Sequence, residues 1–153
     1  MLSSKQALFI IGEEEYGLDI VDIMTIEKLI VIEPAANLTK NIKGTINLRG
    51  DVIPVYSLRS KFGLEEIPSN SKTRLVITNS NDMEIAYEVD QVQGITNLEQ
   101  EQVNGIPSIV QSQNTGYIKQ VANVDGRLIV LLDHDGILSE EDQDCARKLF
   151  KKK

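Results

Sequence analysis

The chain has 153 residues, 41% of them hydrophobic and 25% charged. That is the composition of a soluble globular domain, and no run of about 18 apolar residues offers a membrane span. The formal charge of −7 disfavours sequence-independent nucleic-acid binding, which relies on lysine and arginine against phosphates, and leaves proteins as the expected partners.

The chain opens Met-Leu-Ser-Ser-Lys without the pattern of a secretory signal, so a cytoplasmic location is expected. Residues 7–11, ALFII, form an apolar run closed by Gly12 and three glutamates, after which residues 16–20, YGLDI, resume: a hairpin in outline. If residues 18–26 made one strand, Leu18, Ile20, Met24 and Ile26 would share one face, and Val21 and Ile23 would fall on the other. Either the strand breaks there or an apolar patch is exposed, and such patches mark protein contacts.

At residues 61–72, Gly63, Pro68 and small polar residues mark a connection. Beyond it residues 75–77, LVI, lead into the turn-rich 79–82. Met83, Ile85, Tyr87 and Val89 then alternate with Glu84, Ala86, Glu88 and Asp90, the period of a strand with one buried face. A second long connection, from Glu99 to Gly116, follows.

The halves resemble one another. Residues 18–26, LDIVDIMTI, match 87–95, YEVDQVQGI, in kind, and 42–53, IKGTINLRGDVI, lie without gaps over 118–129, IKQVANVDGRLI. Both matches run in the same order, so an internal duplication is expected, with lobes at about 5–70 and 71–138.

Ser139 with Glu140, Glu141 and Asp142 forms an N-cap and an acidic first turn. Cys145, Ala146, Leu149 and Phe150 follow at helical spacing, and lysines suit the negative end, so a helix is expected over 139–151. As the chain's only cysteine, Cys145 can form no intramolecular disulfide and supplies no cysteine-based zinc site; a buried helix position is expected for it. Many short strands and one terminal helix indicate an all-β protein of small barrels.

Little in the chain suggests catalysis. Asp133, His134 and Asp135 could in principle hold a metal or orient a base, but Gly136 and the following helix cap make this segment the turn of a strand-to-helix junction. The spacing does not fit a calcium loop, and no phosphate loop or nucleophile elbow is present. A small metal-dependent enzyme using Asp133, His134 and Asp135 stays as the alternative from another class.

Arg49-Gly50-Asp51 reads as an adhesion tripeptide only in an extracellular protein. The duplication supplies a better comparison, because the matching turn is Asp125-Gly126, a pair suited to the two positive φ angles of a two-residue hairpin turn. In the same turn Arg49 would cost on the order of 1 kcal/mol relative to Asp or Asn. A local rule broken without local gain points to function, and arginine is a frequent binding hot spot.

Residues 42–63, IKGTINLRGDVIPVYSLRSKFG, closely resemble the signature of the chemotaxis coupling protein CheW family, of form IKGxxNLRGxxxPVxxLRxxFG. The likeness extends to residues 16–20, 89–92 and 125–129, and covers about residues 5–138. It implies a single CheW-like domain over 1–153 made of two packed, five-stranded SH3-like β-barrels with a C-terminal α-helix, no cofactor and no catalysis.

The implied role is an adaptor between the cytoplasmic tips of methyl-accepting chemotaxis receptors and the regulatory domain of the histidine kinase CheA, associated with receptor arrays without direct membrane insertion. A paralogue serving a non-flagellar chemosensory pathway is an alternative within this class. By resemblance Ile20 and Ile23 would dock on the kinase, while Gly44, Arg49, Val92 and Ile95 would surround the receptor groove. Thr25 stands where many relatives carry an acidic residue, with Glu27 two positions on, which bears on receptor choice.

Overall fold

The computed structural model describes residues 3–104 and 116–153. Its strands are β1 (Ser3–Ile11), β2 (Glu14–Asp19), β3 (Ile23–Lys28), β4 (Ile42–Leu48), β5 (Asp51–Ser57), β6 (Arg74–Ser80), β7 (Met83–Val89), β8 (Gln91–Glu99), β9 (Val103–Asn104), β10 (Ile118–Val124) and β11 (Arg127–Leu132). Two helices join them, α1 (Leu58–Lys61) and α2 (Glu140–Leu149). The architecture is all-β, with two SH3-like sheets and a C-terminal helix, as expected.

One sheet has the order β3-β6-β7-β5-β4, and the other β8-β1-β2-β11-β10-β9, where the sixth strand is only the two-residue β9. The boundary expected near residue 70 therefore does not divide the sheets. Each half contributes its leading hairpin to one sheet and its remaining strands to the other: β1 and β2 lie with β8, β10 and β11, while β6 and β7 lie with β3, β4 and β5. The chain exchanges sheets after β2 and again after β7. Its last hairpin in each half then returns to pair in parallel with the other half's leading hairpin, β5 on β7 and β11 on β2.

Within this exchange the residues aligned between the halves occupy matching places. Val55 lies opposite Ala86, and its counterpart Leu131 lies opposite Gly17, the counterpart of Ala86. β3 carries a bulge at Met24 where it pairs with β6, and β8 carries one at the matching Gln93 where it pairs with β1. Lys43 in β4 and Lys119 in β10 are bulged in the same way. Bulges are specific local geometries, so their agreement supports both gapless alignments.

Alternation along the strands builds three cores. Leu8, Leu98, Ala122 and Ile129 fill the first-and-last-strand sheet, and Ile46, Ile53, Val55 and Ile77 fill the other. Between the sheets lies a third core, in which Phe9, Leu18 and Leu132 meet Tyr56, Ile85 and Tyr87. β7 thus buries both faces, not one: Met83, Ile85, Tyr87 and Val89 serve the shared core, and Ala86 serves its own sheet. Burying each of these large side chains contributes roughly 1.5–3 kcal/mol.

α2 packs on the shared core through Ala146, with Ser139 as its N-cap accepting from the Asp142 amide, and it ends at Leu149 with Phe150 as the C-cap. Cys145 is only half-buried there. The connection expected at Glu99–Gly116 falls mostly outside the described residues, apart from the 3-10 turn Gln100–Gln102 and β9.

Candidate protein-binding surfaces

The β4–β5 turn has the demanding geometry inferred from its duplicate. Arg49 and Gly50 have φ of 53° and 90°, and Asp125 and Gly126 have 53° and 82°. Both turns are two-residue connections, closing Leu48 against Asp51 and Val124 against Arg127. The left-handed backbone at Arg49 costs on the order of 1 kcal/mol, and its exposed side chain makes no ion pair with any described residue.

The segment after α2 braces this hairpin. Val52 and Lys151 exchange backbone hydrogen bonds of 2.8 and 3.0 Å, and the Lys153 amide donates to the Asp51 carboxylate at 2.7 Å. That bond is the main cause holding Asp51 below the usual carboxylate range. Thr25 and Met24, on the opposite edge of the sheet, line a small pocket together with Leu48 and Arg49, so the sheet curls on itself there. Thr25 donates its hydroxyl to Glu27 at 2.5 Å.

The second surface lies where the chain leaves β2. The strand does break, into the 3-10 turn Ile20–Asp22, because the Asp19 side chain accepts the Val21 amide and caps it. Val21 is left 83% exposed. Ile20 is half-buried, and Ile23 packs partly against the shared core, so its side chain is only in part available to a partner. Val21, which the alternation pattern places in an apolar patch, is thus more exposed than Ile20 and Ile23, the residues expected to dock on the kinase.

Of the remaining residues expected at the receptor groove, Ile95 is 64% exposed on the edge strand β8. Val92 pairs with Phe9 and packs partly against the shared core. Gly44 is buried; a Cβ there would come within 2.2 Å of the Glu33 carbonyl oxygen, and its φ is 148°. Its glycine identity follows from this backbone crossing. Thr25 and Arg49 share a pocket in one sheet, and Val92 and Ile95 belong to the other.

Two signature residues turn out to join elements. Arg59 in α1 donates to Asp90 at 2.5 Å, and the same carboxylate oxygen accepts the Gly12 amide at 2.8 Å. Asp133, His134 and Asp135 form a turn: Asp133 accepts the Asp135 amide at 3.0 Å and Asp135 accepts the Asn81 amide at 2.9 Å. The His134 Nδ1 lies 3.3 Å from Asp22, which ties this turn to the exposed Val21 segment.

The family model for the CheW-like domain matches residues 6–142. The chemotaxis protein CheW of Klebsiella aerogenes is 30% identical over 135 residues, spanning 88% of this chain and 81% of that protein. The CheW of Bacillus subtilis is 28% identical over 142 residues, spanning 93% and 91%, and that of Thermotoga maritima is 32% identical over 133, spanning 86% and 85%. The crystal structure of the scaffolding protein TtCheW from Thermoanaerobacter tengcongensis superposes with a TM-score of 0.84 at 26% identity, covering 92% of this chain and 96% of that one.

Proposed function

The chain belongs to the CheW-like domain family, and from that premise we propose that it is a non-catalytic adaptor coupling methyl-accepting chemotaxis receptors to the histidine kinase CheA. One surface, the capped turn with exposed Val21 and its neighbours Ile20 and Ile23, takes the regulatory domain of the kinase. The other, around Arg49 and Thr25 with Val92 and Ile95 from the second sheet, takes the cytoplasmic tip of the receptor. The protein then works in the cytoplasm at receptor arrays. No helix among the described residues is long and apolar enough to cross a membrane.

The observation that carries this reading is Arg49, held in a left-handed conformation and making no ion pair with a described residue. Apolar burial at the Val21 turn would supply most of the kinase affinity, and the planar, five-donor guanidinium of Arg49 would orient the receptor. The test is size-exclusion chromatography of a receptor cytoplasmic fragment with the kinase regulatory domain, with and without this protein. Co-elution of all three only in its presence supports the adaptor; failure to bind either partner overturns it.

A further inference from the structure

The duplication contains a reversal of charge. The first half reads Arg49-Gly50-Asp51 and the second Asp125-Gly126-Arg127, so Asp51 stands where the other lobe has Arg127. Glu84 in β7 likewise matches Glu15 in β2. In the sheet that holds β2 and β11 the pair is complete: the Arg127 guanidinium donates to Glu15 at 2.7 Å. In the sheet that holds β5 and β7 both positions are acidic, neither carboxylate forms a salt bridge with a described residue, and the only cation acting on Glu84 is the chain's own Lys152.

Glu84 shows the consequence. Its residue is only 7% exposed, and its Oε2 has no hydrogen-bond partner. It lies at a pocket of about 100 Å³ whose apolar walls include Met24, Leu48 and Ile77 and whose rim carries Arg49 and Asp51. Burial, then the neighbouring Asp51, push the Glu84 carboxyl upward. Glu84 thus faces another carboxyl, Asp51, and keeps one buried oxygen without a partner, which is costly unless something satisfies it.

We infer that this pocket is a subsite for a positively charged side chain, a lysine ammonium or an arginine guanidinium, of the receptor that docks beside Arg49. The inference rests on the receptor-binding reading of Arg49. A basic side chain fits both parts of the site, because its methylene stem lies along apolar walls while its charged head reaches the carboxyls. Arg49 at the rim would then meet an acidic group of the receptor while Glu84 inside meets a basic one, two pairings of opposite sense that together fix register.

The experiment is calorimetric titration of a receptor cytoplasmic fragment into native protein, Arg49→Ala, Glu84→Gln and, as the control from the other sheet, Glu15→Gln, with the fold of each checked by thermal melting. Each lysine and arginine of the fragment's tip is then replaced by methionine and titrated into native and Glu84→Gln proteins. The inference expects Glu84→Gln to weaken binding about tenfold, Glu15→Gln to bind as native, and one basic residue of the fragment to lose its effect once Glu84 is replaced. If Glu84→Gln binds as native while Arg49→Ala is weakened, the inference falls and the receptor reading stands. If Glu84→Gln is weakened but no basic residue of the fragment couples to it, the inference also falls, with the chain's own Lys152 as the cation near the pair. If neither variant is weakened, the receptor reading falls with it.

Discussion

The Tyr56 hydroxyl donates to the buried carboxylate of Asp142 at 2.9 Å, joining β5 in the centre of one sheet to the first turn of α2. The other bond the structure gives that carboxylate oxygen comes from the Asn41 amide at 3.4 Å. Tyr56→Phe would leave a buried acceptor poorly satisfied and is expected to cost about 1–3 kcal/mol. Urea unfolding should show a lower midpoint with an unchanged slope. The double variant Tyr56→Phe/Asp142→Leu should lose less than the two single losses combined, since both partners of one interaction are then apolar.

The tyrosines make alkaline stability a test of the packing. Burial pushes Tyr16 up to about 12, with help from Tyr117 and Glu14; burial raises Tyr56 and Tyr87 further and also raises Tyr117. An unfolded tyrosine begins to lose its proton near pH 10, so above that pH the unfolded chain binds fewer protons than the folded one. Stability is therefore insensitive to these groups below about pH 10, and above it falls by about 1.4 kcal/mol per pH unit for each fully buried tyrosine. The phenolate ultraviolet absorbance of the buried Tyr16, Tyr56 and Tyr87 should rise together with unfolding followed by circular dichroism, whereas the half-buried Tyr117 is free to ionise first. Ionisation of more than one tyrosine well before unfolding would contradict the burial.

Gly44 separates a folding role from a contact role. Gly44→Ala places a methyl against the Glu33 backbone in a conformation that side chains rarely adopt, and a loss of roughly 2–4 kcal/mol is expected. Gly94→Ala is the comparison: its φ is also positive, at 127°, but the space around it is open. Thermal melting should show the larger drop for Gly44→Ala. Equal melting temperatures with lost receptor binding would instead make Gly44 a contact residue.

The hairpin turns are legible in the sequence because they depend on local chemistry. Positive φ at Arg49 followed from its match to Asp125, and the alignments found the bulge positions Met24 with Gln93 and Lys43 with Lys119. The exchange of strands between halves was not visible, because side-chain period says which face a strand buries and nothing about its neighbour. For the same reason the alternation along β7 indicates one buried face, although Ala86 sits in a second core. Asp19 was the available signal for the break before Ile23, as a short acceptor able to cap the turn. Glu84 could not be singled out at all: its distinction arises only when β7 meets the β4–β5 hairpin and the reversed charges of residues 49–51 and 125–127 are seen in the same position.

The central claim is that one stiff scaffold carries two separable surfaces. It is tested most directly by the dissociation constants of Arg49→Ala and Val21→Asp for a receptor cytoplasmic fragment and for the kinase regulatory domain, because both side chains are exposed and neither substitution should lower the melting temperature. Ile23→Asp is less clean, since Ile23 also packs on the shared core. The account predicts that Arg49→Ala weakens receptor binding at least about tenfold and leaves kinase binding unchanged, and that Val21→Asp does the reverse. Equal weakening of both partners by either variant, or native binding by both variants, would contradict it.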